Sequence, residues 1–442
     1  MNIRLSDHFN YGKLLRFTLP SIGMMIFTSI YSMVDGFFVS NFVGITPFAA
    51  INLIYPAIQV LTGVGFMFGT GGSALVSATL GAGQKERANR IFSMITYLAL
   101  VTGGILALLG IAFLEPLALW LGASRDMLPY CIDYGRILLL ALPAFMIQTM
   151  LQSFLITAEK PTIGFVVTLA AGVTNMVLDA LFIVVFQWGI VGAAVATATA
   201  QLLGAVVPLI YFFRKNTSLL RLGKARFEGK TLLRCCGNGM SELVTNISMS
   251  VVAILYNFQL MRLAGENGVA AYGAVMYVSF IFVALFLGYS IGVAPVVGFH
   301  YGANNTGELK SLLRKSNVLI LVSGVILAVV AFVLARPLAM VFVGSDESLL
   351  TLTVTAFRFY SLAVLFSGFN IFGSAFFTAL NNGFISAAIS FLRTMVFQIA
   401  GVLILPIFFD LRGVWYSLPT AEILATAAAF LFYRLKQKTY HY

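Results

Sequence analysis

Charge is what this chain has least of. Asp, Glu, Lys and Arg together supply 10% of its 442 residues, while hydrophobic residues supply 60%. Soluble domains run near one quarter charged, and a water-facing globule could not cover its surface with so few ionic groups. The deficit excludes an ordinary soluble domain and points to lipid as the main solvent. Cysteine and histidine are scarce too, at three each. Cys131, Cys235 and Cys236 give neither a disulfide framework nor metal-ligand spacing. Cys235 and Cys236 lie near a membrane face, where acylation is the alternative to plain packing. His8, His300 and His441 fall at chain or span ends with no nucleophile arranged beside them, which argues against an enzyme and against a resident cofactor.

What the chain has in abundance is long apolar runs. Twelve occur, at roughly 14–42, 46–80, 91–114, 129–157, 162–186, 190–213, 232–262, 269–300, 316–342, 350–379, 384–409 and 412–434. Most exceed the ~20 residues that a helix needs to cross the hydrocarbon layer. The first is too long for a removable signal and lacks a small-residue cleavage site. The expected fold is an all-α polytopic membrane protein with twelve transmembrane helices.

A net charge of +11 invites a nucleic-acid reading, which the distribution of the basic residues removes. Twenty of the 27 Lys and Arg lie on one alternating set of loops, six on the other, and only Arg393 lies within a span. That bias is the positive-inside rule, and it predicts both termini in the cytoplasm. No nucleic-acid partner is implied.

The chain also repeats itself at an interval of 221 residues. Gly81-Ala82 returns at Gly302-Ala303, "EPLA" from Glu115 as "RPLA" from Arg336, and Thr157-Ala158 as Thr378-Ala379. Gly192 returns at Gly413, and "TAQLL" from Thr199 as "TAEIL" from Thr420. A constant offset held by five anchors argues for internal duplication. The expected organisation is an N-terminal lobe over 1–213, a basic cytoplasmic linker over 214–231 and a C-terminal lobe over 232–442. Each lobe has six spans, so the two share one orientation, related by a parallel pseudo-two-fold along the membrane normal. Carriers that work by alternating access use this arrangement.

Against that apolar background four acids stand inside spans: Asp35, Asp179, Glu242 and Glu422. A charge at mid-bilayer costs roughly 2.5–3.5 kcal/mol on insertion scales, so such residues usually face a cavity and carry function. Asn175 lies one turn before Asp179, so the two share a helix face, and "GIVGAAVATATAQ" adds the Thr197 hydroxyl on a small-residue helix suited to close packing. Two carboxylates, an amide oxygen and a hydroxyl form an all-oxygen set suited to a hard cation such as Na⁺. The same set can instead hold a proton, because burial and a like-charged neighbour both favour a neutral carboxyl. At the repeat offset Asp35 falls near Tyr256, Asn175 on Val396 and Asp179 on Ala400. Carboxylates that the fold required would recur in both lobes, and these do not. The competing view is that they tie helices together by hydrogen bonds. Glu422 occupies the position of Gln201 and reads as polar packing. Arg393 reads as paired within its own lobe, with contact to a substrate anion as the alternative. Pro20, fifteen residues before Asp35, removes a helix hydrogen bond and permits a bend.

Pro20, Tyr31 and Asp35 in the first span, "NMVLDALF" with Asn175 and Asp179 in the fifth, and "GAAVAT" ending at Thr197 in the sixth together resemble the multidrug and toxic compound extrusion (MATE) family. The likeness is greatest to its DinF-like prokaryotic branch, and it covers essentially the whole chain. The resemblance implies a V-shaped cleft between lobes and a secondary antiporter that expels organic, mostly lipophilic cationic compounds in exchange for H⁺ or Na⁺. It places the cation site at Asp35, Asn175, Asp179 and Thr197, with Tyr31 nearby. Tyr31, Gln152 and Glu242 are expected toward the substrate cavity, and Pro20 as a hinge. It also implies a monomer in a prokaryotic plasma (inner) membrane, with lipid and small organic cations as its partners. The alternative within the wider superfamily is a flippase for lipids or lipid-linked saccharides, which would call for several intramembrane cations where only Arg393 is present. A major-facilitator carrier would carry a Gly-x-x-x-Asp-Arg pattern between spans two and three, where this chain reads "GAGQKERANR".

Overall fold

Among the described residues of a computed structural model, 3–343 and 347–442, every regular element is a helix. In chain order these are α1 Tyr11–Phe42, α2 Ile45–Gly81, α3 Lys85–Ala112, α4 Leu114–Trp120 and α5 Leu128–Thr157. Helix α6, Pro161–Asp179, runs on through a π-helical stretch Ala180–Val185, and α7 is Gly189–Phe213. The second half repeats the series. It comprises α8 Gly229–Gly265, α9 Asn267–Gly302, α10 Thr306–Val333, α11 Ala335–Val343 and α12 Glu347–Ala379. Helix α13, residues 383–409, contains a second π-helical stretch at Leu392–Gln398, and α14, residues 411–440, follows a break at Asp410. Setting aside the short α4 and α11, twelve helices remain, six in each lobe.

The duplication is written in the backbone as well as in the residues. Left-handed φ values recur at the offset of 221: Gly44 with Gly265, Gly83 with Asn304, and Gly189 with Asp410. Each pair ends one span and starts the next. Gly44 and Gly265 tolerate this because they lack Cβ, whereas Asp410 adopts φ 49 with a side chain present. Asparagine caps start several helices: Asn10, Asn305 and Asn382 accept from the amides of Lys13, Glu308 and Ile385.

One expectation needs correction. The apolar run 316–342 is not a single span, because α10 ends at Val333 and α11 begins at Ala335. The shared "PLA" anchors explain it. Pro116 and Pro337 fall in the first turns of α4 and α11, where a missing amide costs nothing.

The lobes meet through glycines. A Cβ at Gly71 of α2 would lie 2.1 Å from the Cys235 carbonyl oxygen of α8, and one at Gly239 of α8 would lie 2.0 Å from that of Met67. Gly81 and Gly302 make the same close approach between α2 and α9. Backbones this near admit no side chain. These contacts run from the basic-loop face up to mid-height, near Gly63 and Leu243. Toward the opposite face Phe37, Tyr55, Ile254, Phe258 and Tyr277 are exposed.

Helix α1 divides its allegiance. Its first half packs on the C-terminal lobe, where Gly288 and Gly292 of α9 receive Ile22 and Thr18. Its second half packs on α6, where Gly172 receives Phe27 and Tyr31. Pro20 lies within the first of these regions, in a helix that continues unbroken.

Candidate cation site

Gly172 brings the acids together. A Cβ there would stand 2.5 Å from the Phe27 ring and 2.8 Å from that of Tyr31, so α1 and α6 come closer here than any other residue would allow. Asp35 stands one turn further along α1 and Asp179, past Asn175, two turns further along α6. Their two carboxyl groups lie close enough to interact. Asp179 is fully buried and Asn175 is 1% exposed, while Asp35 is half-buried and so forms the open side of the pair.

Among the described residues no protein group answers these oxygens. Oδ1 of Asp35, both carboxyl oxygens of Asp179 and Oδ1 of Asn175 are buried without a hydrogen-bond donor. The Asn175 amide nitrogen donates to Thr197 Oγ1 at 3.4 Å, which leaves its oxygen free to face the pair. Two buried acceptors side by side require either a shared proton or a cation between them. The orphaned donor set is all oxygen, so it fits a hard cation. Among the described residues no three His, Cys, Asp or Glu side chains gather.

Local structure holds this arrangement. Gly192, Ala193, Ala194 and Ala196 are buried on α7 and let it lie against α6. A Cβ at Gly192 would already press on Phe182 at 3.0 Å. The π-helical stretch begins directly after Asp179, and such widenings occur often at functional positions. Neither this stretch nor its counterpart in α13 leaves a mark in the residue pattern.

The other expected residues sit around rather than in this set. The Tyr31 ring lies over Gly172 beside Phe27. Gln152 donates to Thr168 Oγ1 at 3.0 Å, which ties α5 to α6. Glu242 stands half-buried on α8, in the other lobe, one residue from Leu243 at the contact with Gly63.

The C-terminal lobe is built differently. At the position of Asp35, Tyr256 hydrogen-bonds Ser417 at 2.7 Å and stacks on Tyr272. Glu422 is 1% exposed yet fully answered, by Arg393 Nη2 at 2.7 Å, Arg393 Nε at 2.9 Å and Asn370 Nδ2 at 2.6 Å. That acid is a structural tie. The expectations that Arg393 pairs within its lobe and that Glu422 is packing meet in one ion pair.

Six spans repeated in parallel and joined along one face define a two-lobe membrane transporter fold. The comparisons agree with this architecture. The MatE family profile matches residues 20–181 and again 243–404, once in each lobe. The chain belongs to the MatE family, as the resemblance in its first, fifth and sixth spans implied. It is 26% identical over 430 residues to the multidrug export protein MepA of Staphylococcus haemolyticus, covering 97% of this chain and 94% of that one. The MepA of Staphylococcus saprophyticus is 24% identical over 436 residues, again with 97% and 94% coverage. Among solved structures, a multidrug resistance MATE family transporter of the MOP superfamily, described in its outward-facing conformation, superposes with a TM-score of 0.93. It is 21% identical and covers 98% of this chain and 97% of that one.

Proposed function

We propose that the protein is a cation-coupled antiporter that exports organic, mostly lipophilic cationic compounds by alternating access. One observation carries the reading: Asp35 and Asp179 are held together inside the membrane with no protein partner, while the duplicated lobe has no such pair. A fold needs neither acid there. A coupling ion does, since it must bind in one state and leave in another. H⁺ and Na⁺ both suit the donor set, and the named relatives are multidrug export proteins.

The cycle follows from the arrangement of the lobes. The face bearing the basic loops is closed by the glycine contacts, and the positive-inside rule assigns that face and both termini to the cytoplasm of a prokaryotic inner membrane. The cleft then opens outward, like the superposed transporter described as outward-facing. An ion entering from outside occupies the Asp35–Asp179 pair and removes the repulsion between its carboxyls. Helix α1, packed on one lobe below and on α6 above, carries that change toward the lobe interface, with Pro20 as the point of bending. The cargo site is the cleft itself, between Tyr31 on one side and Glu242 on the other, in a single chain surrounded by lipid. The interior stays net negative, because Arg393 is bound to Glu422, and this favours cationic cargo.

The flippase alternative loses its one intramembrane cation to that same ion pair. Dye efflux from everted vesicles tests the reading, with a Na⁺ gradient and a proton gradient imposed separately. Efflux driven by either gradient and abolished by Asp179→Asn is the expected result. Gradient-independent efflux, or lipid scrambling by purified protein, would overturn it.

A further inference from the structure

The basic-loop face carries a second closure that the glycine contacts do not explain. Residues 3–10, ahead of α1, lie across both lobes. Leu5 and Phe9 are fully buried and join the apolar core of the C-terminal lobe, with Leu309 and Leu312 of α10. The Phe9 amide donates to Glu308 Oε1 at 2.9 Å, the His8 ring nitrogen meets Glu308 Oε2 at 2.6 Å, and Lys315 Nζ donates to the Phe9 carbonyl at 2.5 Å. Glu308 is 6% exposed. The segment is therefore anchored on α10 by two buried side chains and three polar contacts, two of them to one carboxylate.

Its attachment to the N-terminal lobe is thinner. The Leu5 amide donates to Glu159 Oε1 at 2.6 Å, from the turn between α5 and α6, where Glu159 takes a left-handed φ of 61. Among the described residues this is the one hydrogen bond from the segment to residues 43–213.

The linker ahead of α8 mirrors this. It lies over α3, the counterpart of α10, with the Arg221 amide on Asn89 Oδ1 at 2.8 Å, the Gly223 amide on Ser93 Oγ at 3.0 Å and the Tyr97 hydroxyl on the Gly223 carbonyl at 3.0 Å. Each lobe's leading segment thus crosses onto the third helix of the other lobe.

We infer that residues 3–10 form a releasable clasp, which stays on α10 through Glu308 and Lys315 and lets go of Glu159 when the lobes part at this face. The inference rests on the alternating-access reading. Glu159 is then a latch, and Asn10, the cap of α1, is where the segment flexes. Losing one hydrogen bond to a charged group shifts an equilibrium about tenfold, so the latch biases the protein toward the closed cytoplasmic face.

Distances between spin labels on Arg87→Cys and Lys310→Cys test it, both exposed on this face, in full-length protein lacking its native cysteines and reconstituted in nanodiscs. The parent is expected to show a short distance, and a longer one under conditions that discharge the coupling ion. Glu159→Ala should raise the long-distance fraction about tenfold, with Glu159→Gln between the two. Deleting residues 2–9 should raise it further. A parent that switches, with Glu159→Ala and the deletion indistinguishable from it, overturns the clasp and leaves alternating access standing. A parent with a single distance under every condition overturns alternating access itself. Should the deletion fail to fold, the Glu159 pair decides the question alone.

Discussion

Replacing Asp179 by asparagine and Glu422 by glutamine should move stability in opposite directions. Both acids are buried within the membrane, at 0% and 1% exposure. Asp179 has no donor on either oxygen, whereas Glu422 accepts from Arg393 and Asn370. The Asp179→Asn change removes a group whose charged form costs ~2.5–3.5 kcal/mol at mid-bilayer. It also adds an amide donor within reach of Asp35, worth ~1.5–3 kcal/mol when it meets a carboxylate. The variant should therefore be at least as stable as the parent in cation-free buffer, by up to ~2 kcal/mol once the lost proton or ion is allowed for, and silent in efflux. Glu422→Gln strands the Arg393 guanidinium in apolar surroundings, which costs ~3–5 kcal/mol, and its efflux falls with the amount of folded protein. Thermal unfolding of purified protein, with and without Na⁺, read beside dye efflux per folded molecule, separates the two. An Asp179→Asn protein that unfolds much earlier than the parent yet still exports dye would make Asp179 a structural tie and refute the reasoning.

Other consequences follow from the same packing. Gly172→Val should push α1 off α6, because a Cβ already meets Phe27 at 2.5 Å. The cost is ~1–3 kcal/mol with near-complete loss of efflux, and trimming Phe27 to Ala should restore part of it. Gly239→Ala should drive α8 away from the Met67 carbonyl and expose buried Cys235, seen as faster maleimide labelling than in the parent. Gly265→Ala should destabilise by ~1–2 kcal/mol, and Asp410→Gly should stabilise by a few tenths or more, because both positions have positive φ; melting curves check both. Replacing Arg393 and Glu422 together by leucine should cost far less than either single change, as a double-mutant comparison of melting temperatures will show.

The spans were legible because lipid demands long apolar helices, and a duplicated chain states its period twice. The 221-residue offset, first visible in short anchors such as Gly81-Ala82, reappears as paired left-handed turns. The acid pair was legible through asymmetry, since Asp35 and Asp179 have no partners in the second half. What stayed hidden depends on contacts without sequence period. Glu159 and Glu308 read as ordinary loop acids, because their partners are backbone amides 154 and 299 residues away. The π-helical stretches add one residue to a turn and leave the apolar pattern unbroken. The end of α10 within an apolar run follows from proline placement rather than polarity.

The anchorage of residues 3–10 has a consequence for biogenesis. Glu308 and Lys315 leave the ribosome roughly three hundred residues after Leu5 and Phe9, so a segment made early is among the last to find its seat. Until the ninth long helix is inserted, two large apolar side chains must wait at the membrane surface. A nascent N-terminal half is thus an unfinished object, and release of a chain arrested midway should leave a species that chaperones and proteases can recognise by that uncovered segment.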